Sequence, residues 1–416
     1  MKYPITPEYL AHVPDKLVRI YMALEDSLIE YICEQFTTQG EANETSLEYI
    51  RFLQRRGLSL REIEKRVKEA TGLAEEELDE IYAGAIRRNK AFFQDILTKM
   101  KLLFSPKRKE SLQAEIDAIS RQTHGELQNI TQSMGFALRG PDGKVTVTPI
   151  MEAYQKILDE ASVQVWSGAV DLNTAVRNAV KKLCESGIQY VDYDSGWHNR
   201  VDVAARRAVM TGISQLSARY TEAMMEELGT DCVEVTAHRG ARDKGTGPAN
   251  HKSWQGKVYR MASMSGKAQV SGNYPDLVEV TGYGTGEGLN GWNCRHKMYP
   301  FVPEIMEPTY TEEQLQNIDP PPFTFEGKEY TAYEATQKQR QIETAMRQCQ
   351  RDMIGFTAAG QTDEATAAGA KYQRLKEKYK EFSKAADLPL QMERGYDKTW
   401  GPEAEKLSIQ MAKQTK

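Results

Sequence analysis

Residues 232–242 read CVEVTAHRGAR, and the character of the 416-residue sequence changes there. The first six of these residues alternate apolar and polar side chains, as expected of a half-buried strand. Helix-forming patterns dominate the sequence before this point, whereas glycine, proline, serine and aromatic residues dominate residues 239–291. The segment 232–303 therefore predicts a compact α+β unit, with further short strands at residues 278–280 and 298–302.

The sequence upstream of this segment predicts helices almost throughout. In residues 17–32, apolar side chains recur every three or four positions, which is typical of one face of an amphipathic helix. Gly57 ends another helix, and a capping box that begins at Ser59 starts the next. The turn sequence GPDG at residues 140–143 indicates a domain boundary. Residues 149–228 are again predicted to be helical, with breaks at two glycines.

The sequence downstream predicts two long helices, at residues 331–356 and 362–386. The break between them is short, so we expect an antiparallel hairpin. The predicted fold class is α+β and predominantly α-helical, with a long helical N-terminal region, a compact α+β unit with a few short strands, and a C-terminal antiparallel helical hairpin. The expected domains are residues 1–140, 141–305 and 306–416.

The composition indicates a folded protein that does not span a membrane. The sequence is 40% hydrophobic and 27% charged, with a formal net charge of −5 and a pI near 5.9, which excludes a disordered or strongly basic chain. It has no apolar run long enough for a membrane span and no apolar signal core at the N-terminus, so we expect synthesis in a cytoplasm. The five cysteines form no CxxC pair, which favours reduced thiols.

Residues with chemical potential are concentrated between residues 197 and 296. Four of the six histidines and three of the five tryptophans lie there. The segment 238–260 contains six Lys or Arg and one Asp, a local charge of +5 in an acidic chain. The residue types suitable for zinc are Cys232, His238, His251, Cys294 and His296. No paired CxxC or HxxxH anchors the set, so hydrogen-bonded core and loop residues are the competing interpretation, and we expect no cofactor, with zinc as the alternative.

Two further chemical interpretations fit parts of this segment. The string Gly286-x-Gly288-x-x-Gly291 matches a dinucleotide fingerprint, but no βαβ unit surrounds it, so we expect these glycines to permit positive φ in a packed turn. Catalysis would use His238, His251 and His296 as acid and base, with Arg239 or Lys257 stabilising charge. No nucleophile or carboxylate pair accompanies them, so we expect that the protein is not an enzyme.

A structural interpretation explains the same residues through packing. Trp254, Tyr283, Trp292 and Tyr299 would supply apolar area to a small domain, while histidine and asparagine side chains satisfy its loop backbone. On the preceding helix, the arginine pair 206–207 would face DNA, a portal protein or solvent.

Three ordered blocks of the sequence, and the start of a helical tail, resemble the phage minor capsid protein 2 family. They are SGWHNRVDVAARRAVMTG (195–212), HRGAR (238–242) with HKSWQGKVY (251–259), YGTG (283–286) with GWNCRH (291–296), and GKEYTAYEATQ (327–337). The resemblance covers essentially the whole chain. The residues that carry it, taken as the binding or signature set, are Arg206, Arg207, His238, Arg239, Arg242, Trp254, Gln255, Lys257, Tyr283, Trp292, Asn293, Cys294, Arg295 and His296.

The resemblance implies a minor capsid, or head morphogenesis, protein of a tailed bacteriophage or prophage. Such a protein is a low-copy virion component that associates with the portal in the capsid interior. The major capsid or scaffold protein and double-stranded DNA are its further candidate partners. The family is distantly similar to the Mu F-like proteins, whose His-Pro-Asn-Cys-Arg-Cys string ends here in His296. The alternative is a nuclease- or transferase-like effector carried in the head, acting through the His/Arg cluster of residues 238–296.

Overall fold

The computed structural model describes residues 3–36, 46–140, 142–191, 198–264, 273–303, 305–392 and 402–414. Pro141 of the predicted turn and residues 195–197 of the first family-like block lie outside these ranges. Within the described ranges, no helix is both long and apolar enough to cross a membrane.

Helix is the main component of the described chain, as the sequence predicted. Its α-helices are α1 (Pro7–His12), α2 (Asp15–Glu34), α3 (Ser46–Arg56), α4 (Leu60–Lys99), α5 (Pro106–Gln132), α6 (Ile150–Trp166), α7 (Leu172–Ser186), α8 (Val201–Leu228), α9 (His251–Trp254), α10 (Leu277–Thr281), α11 (Glu312–Gln316), α12 (Ala332–Ala358), α13 (Thr362–Ala385) and α14 (Pro402–Gln414). The class of a predominantly helical α+β protein is confirmed.

The strands are short and pair antiparallel. They are β1 (Met134–Arg139), β2 (Val145–Pro149), β3 (Ile188–Val191), β4 (His198–Arg200), β5 (Cys232–Val235), β6 (Val258–Arg260), β7 (Met298–Phe301), β8 (Phe323–Phe325) and β9 (Lys328–Tyr330). The sheet orders are β2-β1-β3-β4, β6-β5-β7 and β8-β9. The strands predicted at residues 232–237 and 298–302 are confirmed as β5 and β7.

Local capping explains where several helices begin and end. Gly57 has a φ of +60° directly after α3, so it supplies the left-handed residue that ends the helix. Ser59 Oγ accepts a hydrogen bond from the backbone N–H of Glu62 at 3.3 Å, at the start of α4. The strand predicted at residues 278–280 is wrong, because the segment forms α10. Asp276 Oδ1 accepts from the N–H of Glu279 at 2.9 Å and starts this short helix.

The predicted helical N-terminal region ends earlier than expected. Residues 134–139 form β1, which pairs with β2 on one side and with β3 on the other. β1 and β2 therefore form one antiparallel pair, on either side of the sequence GPDG. The periodicity of the sequence does not predict this pairing, because the partner strand β3 lies some fifty residues further along the chain.

The predicted C-terminal hairpin is confirmed. Gln339, near the start of α12, donates to Ser383 Oγ near the end of α13 at 3.0 Å. Tyr379 on α13 donates to Glu343 on α12 at 2.9 Å. These contacts require the two helices to run antiparallel.

Contacts group the chain into two compact units. Unit 1 comprises residues 1–14, 75–126 and 206–338, and unit 2 comprises residues 15–74, 127–205 and 339–416. Unit 1 contains the sheet β6-β5-β7, and unit 2 contains the sheet β2-β1-β3-β4. The three consecutive domains expected from the sequence stay a prediction, because grouping by contacts does not reveal which segments fold on their own.

Unit 2 contains a buried ionic group that we call the arginine cluster: Glu25, Asp26, Arg200, Arg347 and Arg351. Glu25 Oε2 lies 3.0 Å from Arg347, 3.3 Å from Arg200 and 3.5 Å from Arg351. Asp26 accepts two hydrogen bonds of 2.6 Å from Arg347. Burial would raise the pKa of Glu25, but the arginines and the N–H of Ile188 lower it to about 2. Glu25 is therefore ionised although it is 1% exposed.

Candidate functional site

The sheet of unit 1 brings the candidate residues together. The end of β5 pairs with the start of β7, with Val235 opposite Met298. His238 follows β5 and His296 precedes β7, so the pairing places both at the same edge of the sheet. The helix α9 carries His251 into the same place. We call His238, His251, Cys294 and His296 the histidine cluster.

The rings of this cluster pack against one another. The centroids of His238 and His296 are 4.4 Å apart, and the ring of His251 is 5.4 Å from that of His296. Trp254 closes the group, with its ring 4.6 Å from His251 and 4.9 Å from His296. His251, Cys294 and His296 are at most 3% exposed. A substrate therefore has no direct route to these side chains.

Gln255 is the polar centre of the cluster. Its Oε1 accepts from the backbone N–H of His238 at 3.0 Å and contacts His296 Nε2 at 3.0 Å. The ring of His251 is held separately, since its Nε2 lies 2.8 Å from the carbonyl oxygen of Glu287. Each of these contacts satisfies a polar group that burial would otherwise penalise.

Burial keeps the histidines neutral. It lowers the pKa of His238 to about 3, with a further contribution from the Arg295 guanidinium, which lies 3.2 Å from His238 Nδ1. Burial also lowers the pKa of His251 to about 4, and it lowers the pKa of His296 well below its ordinary range. Near pH 7 these rings are poor general acids, so the geometry does not favour the acid–base role of the catalytic interpretation.

Lys297 is buried beside the cluster. Its Nζ donates to Asn290 Oδ1 at 3.0 Å and to the carbonyl oxygen of His296 at 2.6 Å. Burial lowers the pKa of this ammonium group to about 8. The sequence analysis did not identify Lys297. Its position directly before the buried strand β7 could have indicated a buried lysine.

The glycine string serves close packing. A Cβ on Gly288 would lie 2.2 Å from the carbonyl oxygen of Gly282, and one on Gly291 would lie 2.4 Å from that of Gly286. Gly286, Gly288 and Gly291 do not have positive φ, so that expectation is wrong. Glycine is required at these positions because a side chain would collide with neighbouring atoms. In this loop, positive φ occurs instead at Gly282, Gly284, Asn290 and Asn293.

The predicted metal-ligand types are only partly brought together. One ring nitrogen each of His251 and His296 and the Sγ of Cys294 all lie within 4.8 Å of one another. Cys232 is separate: it packs with Val258 and Phe301 in another apolar group. Successive residues of a strand point to opposite faces, which explains why Cys232 on β5 does not join the set.

Several signature residues have structural contacts. Arg206 donates to the carbonyl oxygen of Ala11. Trp254 donates from Nε1 to the carbonyl oxygen of Pro248 at 3.1 Å, and Tyr283 donates to Glu222 at 2.7 Å. Arg207, Arg239, Arg242 and Arg295 are half-buried. These placements favour packing roles for most of the signature set.

Trp292 departs from its predicted role in the core. Its side chain is 59% exposed, although one face covers Gly286, where an added Cβ would meet the indole ring at 2.8 Å. Asn293, next to it, is exposed and has a φ of +56°. The tight backbone of the glycine-rich loop therefore directs this ring outward.

The basic segment 238–260 is less positive in the fold than in the sequence. Lys252 forms an ion pair with Asp319 at 2.7 Å, and Lys244 forms one with Glu334 at 3.0 Å. Lys257 is exposed and donates to the carbonyl oxygen of Ser253. Acidic residues from a distant part of the sequence thus offset part of the +5 charge.

Comparison with known proteins gives a consistent family. The sequence model of "Phage minor capsid protein 2" matches residues 5–384. A protein described as "Structural protein" of Lactococcus phage LL-H is 24% identical over 239 residues, which cover 56% of this chain and 60% of that relative. No solved structure matches the chain.

Proposed function

The chain belongs to the phage minor capsid protein 2 family, and from this premise we propose that it is a low-copy head-morphogenesis protein that associates with the portal during procapsid assembly. The observation that carries the proposal is the family match, which extends over almost the whole chain. A phage structural role follows from that match and from the structural protein of Lactococcus phage LL-H. A place at the portal vertex or inside the capsid is our extension of it.

The histidine cluster supports a non-enzymatic role. Its rings are buried and neutral, and they pack around Trp254 and Gln255. An enzyme site needs access for a substrate and groups whose pKa values lie near the working pH. The cluster is therefore better suited to stabilising the fold. We expect the surfaces of the protein to perform the function.

We place the contact with the portal at an apolar cleft of unit 1. Residues of α4, α5 and α8 enclose about 720 Å³ there. Phe93, Leu97, Leu112, Ile116 and Met224 are among its lining residues. At its mouth, Leu103 is 91% exposed, and such an exposed apolar side chain beside an apolar cleft is typical of a protein contact. An amphipathic helix of the portal fits the shape and chemistry of this cleft, and Lys90 and Lys109 at its lining favour an acidic rim on that helix.

Co-assembly tests this proposal. Wild-type protein should co-purify with portal oligomers and be present in isolated heads. Leu103→Glu places a charge at the cleft and should reduce portal binding at least about tenfold, since burying a charged group in an apolar contact costs more than 1.4 kcal/mol. Leu73→Glu is the matched control, because Leu73 is also an exposed leucine, at 55%, but does not line the cleft. Failure of the wild-type protein to bind portal oligomers, together with normal infection by virions that lack it, would refute the proposal.

The alternatives make different predictions. An effector carried in the head would need the histidines for activity after assembly is complete. A DNA-binding role through residues 238–260 would give affinity that falls steeply with salt. The ion pairs of Lys244 and Lys252 make DNA contact the less favoured of the partner assignments.

A further inference from the structure

The strongest unexplained feature of the molecule is the convergence of His251, Cys294 and His296. Nitrogen, nitrogen and sulfur ligand atoms from these residues lie within 4.8 Å of one another, and all three side chains are buried. Packing alone requires apolar contacts, not the meeting of three metal-binding atoms. Two imidazoles and a thiol are also the ligand types that zinc prefers.

One distance in the cluster already matches a zinc site. With a Zn–S bond of about 2.3 Å and a Zn–N bond of about 2.05 Å, a tetrahedral angle places sulfur and nitrogen about 3.6 Å apart. Cys294 Sγ and His296 Nδ1 are 3.6 Å apart. Ligand atoms of the remaining pairs are at most 4.8 Å apart, so small side-chain rotations would complete the geometry.

Hydrogen bonds fix the tautomer of both rings. Gln255 Oε1 must be an acceptor, because it already accepts from the backbone N–H of His238. His296 Nε2 therefore carries the proton that it donates to Gln255, and Nδ1, which faces the sulfur, keeps its lone pair. The carbonyl oxygen of Glu287 fixes His251 in the same way, with the proton on Nε2 and the lone pair on Nδ1. Metal-binding histidines are commonly oriented by such carbonyl or amide acceptors on the other ring nitrogen.

Several donors surround the sulfur of Cys294. Burial raises the pKa of this thiol, and Lys297, the backbone N–H groups of Asn290 and His296, and Arg242 act in the opposite direction without reversing the shift. Backbone N–H donors stabilise negative charge on sulfur. A metal ion would supply the remaining stabilisation and deprotonate the thiol.

We propose that His251, Cys294 and His296 bind a zinc ion with a structural role, with a non-protein ligand in the fourth position. The ion would tie α9 and the glycine-rich loop to the edge of the sheet at β7. The site lies in the interior of unit 1, so its existence does not depend on portal association. Cys232, the other cysteine considered from the sequence, takes no part.

The test uses Co²⁺ as a spectroscopic substitute for zinc in the full-length chain, purified without a histidine tag and stripped with a chelator. Wild-type protein should bind one Co²⁺ per chain and develop a sulfur-to-cobalt charge-transfer band. Zinc should displace the cobalt and raise the unfolding temperature relative to the chelator-treated protein. Absence of the band in folded wild-type protein would overturn the proposal without the use of any variant.

Two cysteine variants locate the site. Cys294→Ser should lose the charge-transfer band, whereas Cys232→Ser, the matched substitution of another fully buried cysteine, should keep it. Circular dichroism shows whether each variant is folded. If Cys294→Ser does not fold, His251→Gln serves in its place, with a shifted spectrum and weaker cobalt binding as the expected result. A band that persists unchanged in the Cys294 variant, or that disappears in the Cys232 variant, would contradict the assignment.

Discussion

The histidine cluster of unit 1 and the arginine cluster of unit 2 bury polar groups in opposite ways. In the histidine cluster, burial lowers the pKa values so that the rings lose their charge. In the arginine cluster, Glu25 stays ionised because three guanidinium groups surround it. A neutral ring needs only hydrogen bonds, whereas a buried charge needs an opposite charge nearby. The arginine cluster is thus the more vulnerable of the two to the loss of one partner.

The largest effect is expected from Glu25→Gln. The substitution leaves three arginines without their shared carboxylate, and breaking a buried ion pair costs about 3–5 kcal/mol. Urea denaturation should show this loss of stability. Hydrogen exchange should show reduced protection of the α2 amides. Glu152→Gln is the control, since Glu152 forms an exposed pair with Lys156 and exposed pairs contribute about 0–1 kcal/mol. Equal effects of the two substitutions would remove the distinction between buried and exposed charges.

The second-largest expected effect is a difference in the pH range over which each cluster loses its contribution to stability. The folded pKa values of His238 and His251, about 3 and about 4, lie below the ordinary 6.5. The unfolded state therefore binds more protons than the folded state below pH 6.5, and stability is lost as pH falls from 6.5 towards 4. At pH 5 the loss is about 2 kcal/mol per histidine. Glu25, with a folded pKa of about 2 against an ordinary 4.5, contributes stability that is lost only below pH 4.5.

Hydrogen exchange of the metal-free protein as a function of pH checks these windows. Amides of β5 and β7 should lose protection between pH 6.5 and 4, before those of α2 and α12. Simultaneous loss in both units across that range would contradict the contrast between neutral and charged clusters.

A smaller effect is expected from Gln255→Leu. It removes the acceptor of two hydrogen bonds while it keeps a side chain of similar size. An unsatisfied buried donor costs about 1–3 kcal/mol, so thermal unfolding should occur at a lower temperature. An unchanged unfolding temperature would mean that Gln255 does not organise the cluster.

The smallest effect is expected from Lys252→Ala. Lys252 is exposed, and the carboxylate of Asp319 with which it pairs also accepts from the N–H of Gly240. Asp319 therefore keeps a partner in the variant, and we expect a loss of about 1 kcal/mol or less. Binding of double-stranded DNA, measured by fluorescence anisotropy at two salt concentrations, should be weak and little changed in this variant. Tight, salt-dependent binding that the substitution reduces would support DNA contact through residues 238–260.

Patterns local in sequence predicted much of the fold. Apolar spacing located the long helices, and alternation located β5. The incorrect strand at residues 278–280 contains two valines, yet the cap from Asp276 outweighed their preference for strand. The hairpin of β1 and β2 was not predicted from the sequence. Its strands are defined by their pairing with other strands, and their residues follow no detectable periodic pattern.

The candidate site was predictable in its residue types more than in its geometry. His251, Cys294 and His296 meet as the ligand types suggested, while Cys232 points elsewhere and Trp292 is exposed. The arginine cluster was not found, because its members are far apart in the sequence. A signal did exist: Glu25 and Asp26 interrupt the apolar stripe of α2 between buried leucines, where a charge requires a buried partner.

We propose that the histidine cluster stabilises a structural head protein and performs no chemistry. The most direct test complements a phage that lacks this gene with His238→Ala, His251→Ala and His296→Ala variants. For each variant, the amount of folded protein per head and the infectious titre are measured. We predict that infectivity falls only where folding and incorporation into heads fall. A variant that folds, enters heads at the wild-type level and still yields non-infectious particles would contradict the account and favour an enzyme.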